Sequence, residues 1–221
     1  MNFVTIDFSL NSPGICIFND KRKQYHFIAY LKKNGSKKAI KLQEEMGLLD
    51  DVTLVFQPDW EKDVDYSSIE FNKIMRYDIM SNDIINLIIQ NTFKDDGYLI
   101  AFEGVSYGSS AGTNNIIDMA SAASILKIKL LKHLKPEDIK TVAPATIKKH
   151  AGKGNMNKRV LWDVFVENRT GEEFLEETNF WSFAKNLEVG KSVPKPFDDL
   201  VDAFYLNSLI RSLQANLPLP A

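Results

Sequence analysis

The stretch Asn2-Phe3-Val4-Thr5-Ile6-Asp7-Phe8 decides how this chain is read: it is a run of apolar and β-branched residues with one carboxylate set into it. Asp is depleted in strands and costly to bury, so Asp7 needs a reason to be there. A polar turn follows, Ser9-Leu10-Asn11-Ser12-Pro13, and then a second apolar run, Gly14-Ile15-Cys16-Ile17-Phe18, which predicts a hairpin. Asp7 then lies near a strand end beside a turn, where a rigid sheet can aim a carboxylate at a metal ion. An Asp that only caps its own turn is the plainer alternative.

Working outward, Tyr25 to Leu31 reads as a third strand and completes an antiparallel meander, while 34–51 has no clear pattern and Val52 to Phe56 is a further candidate strand. Ser67 to Thr92 carries Ile69, Ile74, Met75, Ile79, Ile84, Ile85, Ile88 and Ile89 at mainly helical spacing, as one long helix or two. Tyr98 to Phe102 is a short apolar run ending in Glu103, followed by a loop with Gly104, Gly108 and Gly112. An acid at a strand end beside a loop thus repeats the arrangement at Asp7. These glycines fit neither dinucleotide-binding nor P-loop patterns, so they read as a loop over a site.

A helix is expected from Thr113 or Asn114 to about Leu134, with the small-residue centre Met119-Ala120-Ser121-Ala122-Ala123-Ser124 suited to close packing within the chain or against a second copy. Ile139 to Val142 reads as a strand, Pro144 to Lys149 as a helical turn, Gly152-Lys153-Gly154-Asn155 as a basic loop, and Met156 to Glu167 as a helix. The aromatics of 168–196 read as satellite core and the acidic run there as a solvated face. The last helix, Phe197 to about Leu213, opens with Asp198, Asp199 and Asp202. The helix dipole favours the first two. Asp202 lies outside that explanation, and acids three or four apart share one helical face.

Composition narrows the classes. The chain has 221 residues, 44% hydrophobic and 25% charged, enough to bury a full core, and is expected to form a single domain. It contains no run of eighteen apolar residues and opens without the basic region and apolar core of a secretory signal, so no membrane partner and a cytoplasmic location are expected. One cysteine, Cys16, reads as core, and no Cys/His cluster points to zinc. The net charge of −2 hides segregation. Residues 21–41 hold eight basic and no acidic residues, and 127–159 ten basic against two acidic, whereas 44–103 hold fourteen acidic against four basic. Two basic blocks on an otherwise acidic chain could bind a polyanion on one face.

Asp7, Glu103, Asp199 and Asp202 are the candidate catalytic and metal-holding set. Hard oxygen ligands of this kind suit Mg²⁺ or Mn²⁺, and two such ions can activate water on one side of a phosphodiester and stabilise the leaving oxygen on the other.

With these residues assembled, the chain resembles the RuvC-type Holliday junction resolvases of the RNase H-like (retroviral integrase) superfamily. Ile6-Asp7 with Ser9 and Gly14 resembles the family's first strand and turn, Ala101-Phe102-Glu103-Gly104-Val105 its acid-bearing fourth strand, and Asp199-Leu200-Val201-Asp202-Ala203 its closing Asp-x-x-Asp-Ala helix. The resemblance implies an α/β fold with a mixed five-stranded sheet, an antiparallel three-strand meander plus parallel strands, flanked by helices. Segments at about 32–66 and 168–196 then stand as insertions, as in a phage or other divergent member. It further implies a Mg²⁺- or Mn²⁺-dependent endonuclease with two ions per site, acting on branched DNA typified by the four-way junction, as a homodimer whose interface candidate is the small-residue helix. Thr141 to Lys149 and Asn155 to Val160 resemble the family's strand, short helical turn and basic loop before a helix that starts with Lys, and that match implies Lys158 and one of Lys148 or Lys149 as phosphate contacts. Lys153 and Arg159 extend that basic segment, and Tyr107 is a candidate base-stacking wedge or an ordinary loop tyrosine. Asp198 has no family counterpart and reads as helix capping. Alternatives are an RNase H-like or packaging-type nuclease with another nucleic-acid substrate, a non-enzymatic branched-DNA binder, and an actin-like or sugar-kinase ATPase, which would need duplicated domains and glycine-rich phosphate loops that the sequence lacks.

Overall fold

Alternation along the first strand accounts for its central position. In the computed structural model, which describes residues 1–31, 36–58, 65–104 and 113–216, Phe3 packs into one core and Val4 and Ile6 into another on the opposite face. A strand covered on both faces reads as nearly continuous apolar sequence.

The elements in chain order are β1 (Asn2–Asp7), β2 (Gly14–Asn19), β3 (Gln24–Leu31), α1 (Lys37–Met46), β4 (Val52–Phe56), α2 (Tyr66–Gln90), β5 (Tyr98–Glu103), α3 (Thr113–Leu130), β6 (Ile139–Val142), α4 (Pro144–Ala151), α5 (Lys158–Val166), α6 (Asn179–Lys185) and α7 (Phe197–Ala215). They form one mixed sheet in the order β4-β3-β2-β1-β5-β6, with β2 antiparallel to both its neighbours and every other pair parallel. Five strands therefore end at the same end of the sheet. That end carries Asp7 and Glu103.

The sheet has six strands, one beyond the five expected. The additional one is β4, which pairs in parallel with β3 through the crossover helix α1. In α1 the buried positions Leu42 and Met46 stand at helical spacing, but the surrounding lysines and glutamates obscured the pattern. Residues 66–90 form one continuous helix.

α2 and α3 cover one face, where Met80, Ile84 and Ile88 meet Ala122, Ala123, Leu126 and Leu130, so part of the small-residue segment serves packing within the chain. The other face is covered by α1, α4, α5, α6 and α7. Here α7 is buried on all sides from Phe197 to Ile210, mainly through apolar residues, with Asp198, Asp199, Asp202, Asn207 and Ser208 as its buried polar positions. The aromatics of 168–196 belong to this main core rather than to a satellite, since the Phe180 ring lies 4.3 Å from Phe27 and 5.7 Å from Phe197. Cys16 is buried, as read.

Two polar contacts dock α7 on the strands. Thr5 Oγ1 donates to the Ala203 carbonyl at 2.7 Å, and Asn207 Nδ2 donates to the Phe3 carbonyl at 2.9 Å. The described residues of the first basic block do not gather on one face. Lys21 pairs with Asp96, Lys23 pairs with Asp20 and Arg22 stacks on Phe93, all at the far end from Asp7, whereas Lys37, Lys38 and Lys41 lie on α1.

Candidate active site

Asp7 ends β1 and Glu103 ends β5. Ile6 lies opposite Phe102 in the parallel register, so the two acids are next in line on adjacent strands. Alternation sends Asp7 to the side of Phe3 and Thr5, and Glu103 to the side of Leu99 and Ala101. That is the face covered by α7. The bond from Thr5 to Ala203 fixes the helical turn that carries Asp202, and one carboxylate oxygen from each of Asp7, Glu103 and Asp202 lies within 4.8 Å of the others.

Asp199, one turn earlier, is set apart from this trio by its own partners. Its Oδ2 accepts from Ser12 Oγ at 2.7 Å and its Oδ1 pairs with Lys195. Asp198 pairs with Lys158 at 2.7 Å and Lys195 at 3.1 Å, while its buried Oδ1 has no hydrogen-bond partner. Lys158, the first residue of α5, reaches all three aspartates of α7, with Nζ 3.6 Å from Asp199 and 3.4 Å from Asp202. Asn157 caps this helix by accepting from the Val160 amide.

Crowding of carboxylates governs the electrostatics. Burial, and then the charges of Glu103, Asp202 and Asp199, push Asp7 well above the usual carboxylate range against the opposing pull of Lys158. Burial and Asp202 raise Glu103 to about 7, although Lys158, Lys148 and a hydrogen bond with Asp7 act the other way. Asp202 is also raised, by burial, with Lys158 opposing. Burial alone would depress the Lys158 ammonium, but Asp202, Asp198 and Asp199 together hold it above its ordinary value. Such a site favours protons or cations. Three carboxylate oxygens this close, with no sulfur or nitrogen among them, form a donor set suited to a hard divalent ion.

The other sequence-predicted residues divide. Lys148 on α4 acts on Glu103 through its charge. Lys149 and Lys153 are exposed and make no ion pair among the described residues. Arg159 turns away from the acids: it pairs with Asp163 at 3.0 Å and donates to the carbonyls of Val189 and Gly190. Tyr107 lies outside the described residues. Sequence reasoning missed Lys195 and Ser12. Lys195 stands three and four residues before Asp198 and Asp199, a spacing that marks helical ion pairs, but it precedes the helix and sits between prolines.

No family model and no curated protein matches this sequence. Among solved structures, RuvC of Thermus thermophilus aligns over 97% of both chains at 13% identity and a TM-score of 0.50. The T. thermophilus RuvC in complex with a Holliday junction substrate aligns over 97% of this chain and 96% of its own, at 10% identity and a TM-score of 0.51. A yeast mitochondrial Holliday junction resolvase aligns over 96% of this chain and 78% of its own, at 16% identity and a TM-score of 0.52. At these identities the likeness is one of fold: this chain has the RNase H-like architecture of the RuvC-type resolvases.

Proposed function

We propose that this protein is a divalent-metal-dependent endonuclease that nicks branched DNA, with the four-way junction as its typical substrate. The observation that carries the reading is the convergence of Asp7, Glu103 and Asp202 at the ends of two adjacent strands and on the helix laid across them. The resolvase fold supports it, and one of the similar structures is named as a complex with a Holliday junction substrate.

Asp7, Glu103 and Asp202, with Asp199 beside them, would hold the ions. When bound, Mg²⁺ or Mn²⁺ supplies activation of the attacking water and stabilisation of the leaving 3′ oxygen. The chain's own groups bind and orient the substrate. Lys158, half-exposed above the aspartates, and Lys148, whose charge reaches Glu103, contact the scissile phosphate. Lys149 and Lys153 contact the backbone beyond it, while Arg159 shapes the site by holding the 189–190 segment. A homodimer fits a substrate with two symmetric scissile strands. Its interface candidate remains the small-residue helix α3, together with α2 packed against it, whose Tyr66, Phe71 and Ile74 are exposed.

The test is cleavage of end-labelled four-way junction, linear duplex, single strand and RNA–DNA hybrid, with Mg²⁺ or EDTA, by wild type and Asp7→Asn. Paired nicks confined to the junction, lost in EDTA and in the variant, are the expected result. Cutting mainly of hybrid or linear duplex would replace the substrate and keep the chemistry. Tight junction binding without cutting would make the protein a branched-DNA binder.

A further inference from the structure

The helix α1 carries its charges against its own dipole. Lys37, Lys38 and Lys41 occupy its first half and Glu44 and Glu45 its last turn, with no acid at the start and no base at the end. Helix N-termini favour acids and C-termini favour bases, so this arrangement works against stability. α4 offers a contrast, since its Lys148, Lys149 and His150 lie in the last turn, where the dipole favours them.

The position of the basic end is set by topology. β3 and β1 run parallel on either side of β2, so β3 ends at the same end of the sheet as Asp7 and Glu103, and α1 begins at Lys37, six residues after Leu31 closes β3. β3 lies two strand spacings from β1, roughly 10 Å. Beside α1 a groove of about 560 Å³ runs between Lys38, Lys41 and Leu42 on one wall and Leu187, Val189 and Pro194 on the other. Glu45 and Glu188 also line it, Glu45 within 3.8 Å of Lys41. Lys37 and Lys38 are exposed and make no ion pair among the described residues. The second wall runs on directly into Lys195, which holds Asp199.

We propose that this groove and the basic end of α1 seat the phosphate backbone of the duplex arm that flanks the cleaved strand. The inference rests on the nuclease reading above and extends it, because the surface is built from the two inserted segments. Both walls approach the carboxyl end of the sheet, so an arm leaving the acid cluster across β2 and β3 runs toward Lys37 and Lys38. A polyanion is the occupant that turns the misoriented charges of α1 to advantage.

The experiment measures binding of a labelled four-way junction in Ca²⁺ across a salt series, for wild type and Lys37→Glu/Lys38→Glu. The plot of log affinity against log salt is expected to lose about two units of slope, with affinity down about tenfold or more at moderate salt. Thermal unfolding of the same variant is expected at a higher temperature, since acids replace bases in the first turn, and that excludes misfolding as the cause. A junction with neutral methylphosphonate linkages in the arm flanking the cleaved bond is expected to weaken wild-type binding and leave the variant unaffected. Equal slopes and affinities for variant and wild type, or losses from the two changes that multiply independently, would overturn the proposal and leave the nuclease reading standing. A wild type that binds no branched DNA would overturn both.

Discussion

Ser12 Oγ donates to Asp199 Oδ2 at 2.7 Å across 187 residues of chain, tying the β1–β2 turn to the first turn of α7. Asp199 is 2% exposed, so removing this donor leaves a buried carboxylate short of a partner. Ser12→Ala is therefore expected to cost about 1–3 kcal/mol, read as a lower urea midpoint with an unchanged slope. An unaltered midpoint would mean that Lys195 and Lys158 alone suffice to hold Asp199.

Gly14 completes the same junction from the other side. A Cβ there would meet the Asp199 carbonyl oxygen at 2.5 Å and its carbon at 2.6 Å, both backbone atoms of a helix that cannot move independently of the core. Gly14→Ala is expected to destabilise the fold by about 1–3 kcal/mol or more through overpacking. It should also weaken divalent-ion binding, because a displaced α7 carries Asp202 away from Asp7. Calorimetry of Mn²⁺ binding checks the second effect, and unchanged affinity alongside lowered stability would separate the helix start from the ion site.

The strand-borne part of the candidate site was legible because strand alternation and strand ends leave a local signature. Asp7 and Glu103 each close an apolar run, and Asp202 stands one turn beyond the reach of the helix-dipole explanation. The meander, the long helices and the closing helix were readable for the same reason. What escaped the sequence depends on contacts between distant segments. Nothing local tells Asp199, paired with Ser12 and Lys195, from Asp202, held beside the strand acids. Arg159 looks like its neighbour Lys158, yet the helix turns it about 100° away, toward the Val189 and Gly190 carbonyls. The aromatics near Phe180 looked peripheral because the sequence cannot show Phe27 and Phe197 on either side of them.

The α2 face gives an assembly test. Phe71 is 63% and Ile74 57% exposed, three residues apart on one helical side. Under the proposed homodimer, Phe71→Glu/Ile74→Glu places charges in an apolar contact and is expected to shift the protein from dimer to monomer in sedimentation. Folding should be unaffected, since neither side chain lies in a core. A wild type that sediments as a monomer would remove the dimer from the reading.

Lys158 is expected to act as the internal counter-cation of the metal-free site. Lys158→Met removes the ammonium shared by Asp198, Asp199 and Asp202 and leaves their repulsion unopposed. Because the lysine is half-exposed, solvent takes up part of the loss, and the expected cost is about 1–2 kcal/mol at neutral pH. Saturating Mg²⁺ should shrink the difference, since the ion supplies the missing charge. A variant equally destabilised with and without Mg²⁺ would make Lys158 a packing residue instead.

The crowded acids also fix the sign of the pH dependence. Glu103 rises from an ordinary 4.5 to about 7 in the folded protein, and Asp7 and Asp202 are raised from 3.8 in the same sense. Between the unfolded and folded values the folded form binds more protons than the unfolded form, so stability falls as pH rises through that window. The metal-free protein is therefore expected to be most stable below about pH 4.5 as far as Glu103 is concerned, and to lose on the order of 2–3 kcal/mol by pH 8. Glu103→Gln should flatten this part of the profile. Mg²⁺ should reverse it, because ion binding needs the deprotonated carboxylates and stabilises the folded form most where they are charged. Urea midpoints from pH 5 to 8, with EDTA and with Mg²⁺, measure both effects. A metal-free midpoint that climbs over this range would show that Lys158 and Lys148 already neutralise the cluster, leaving no electrostatic demand for an ion.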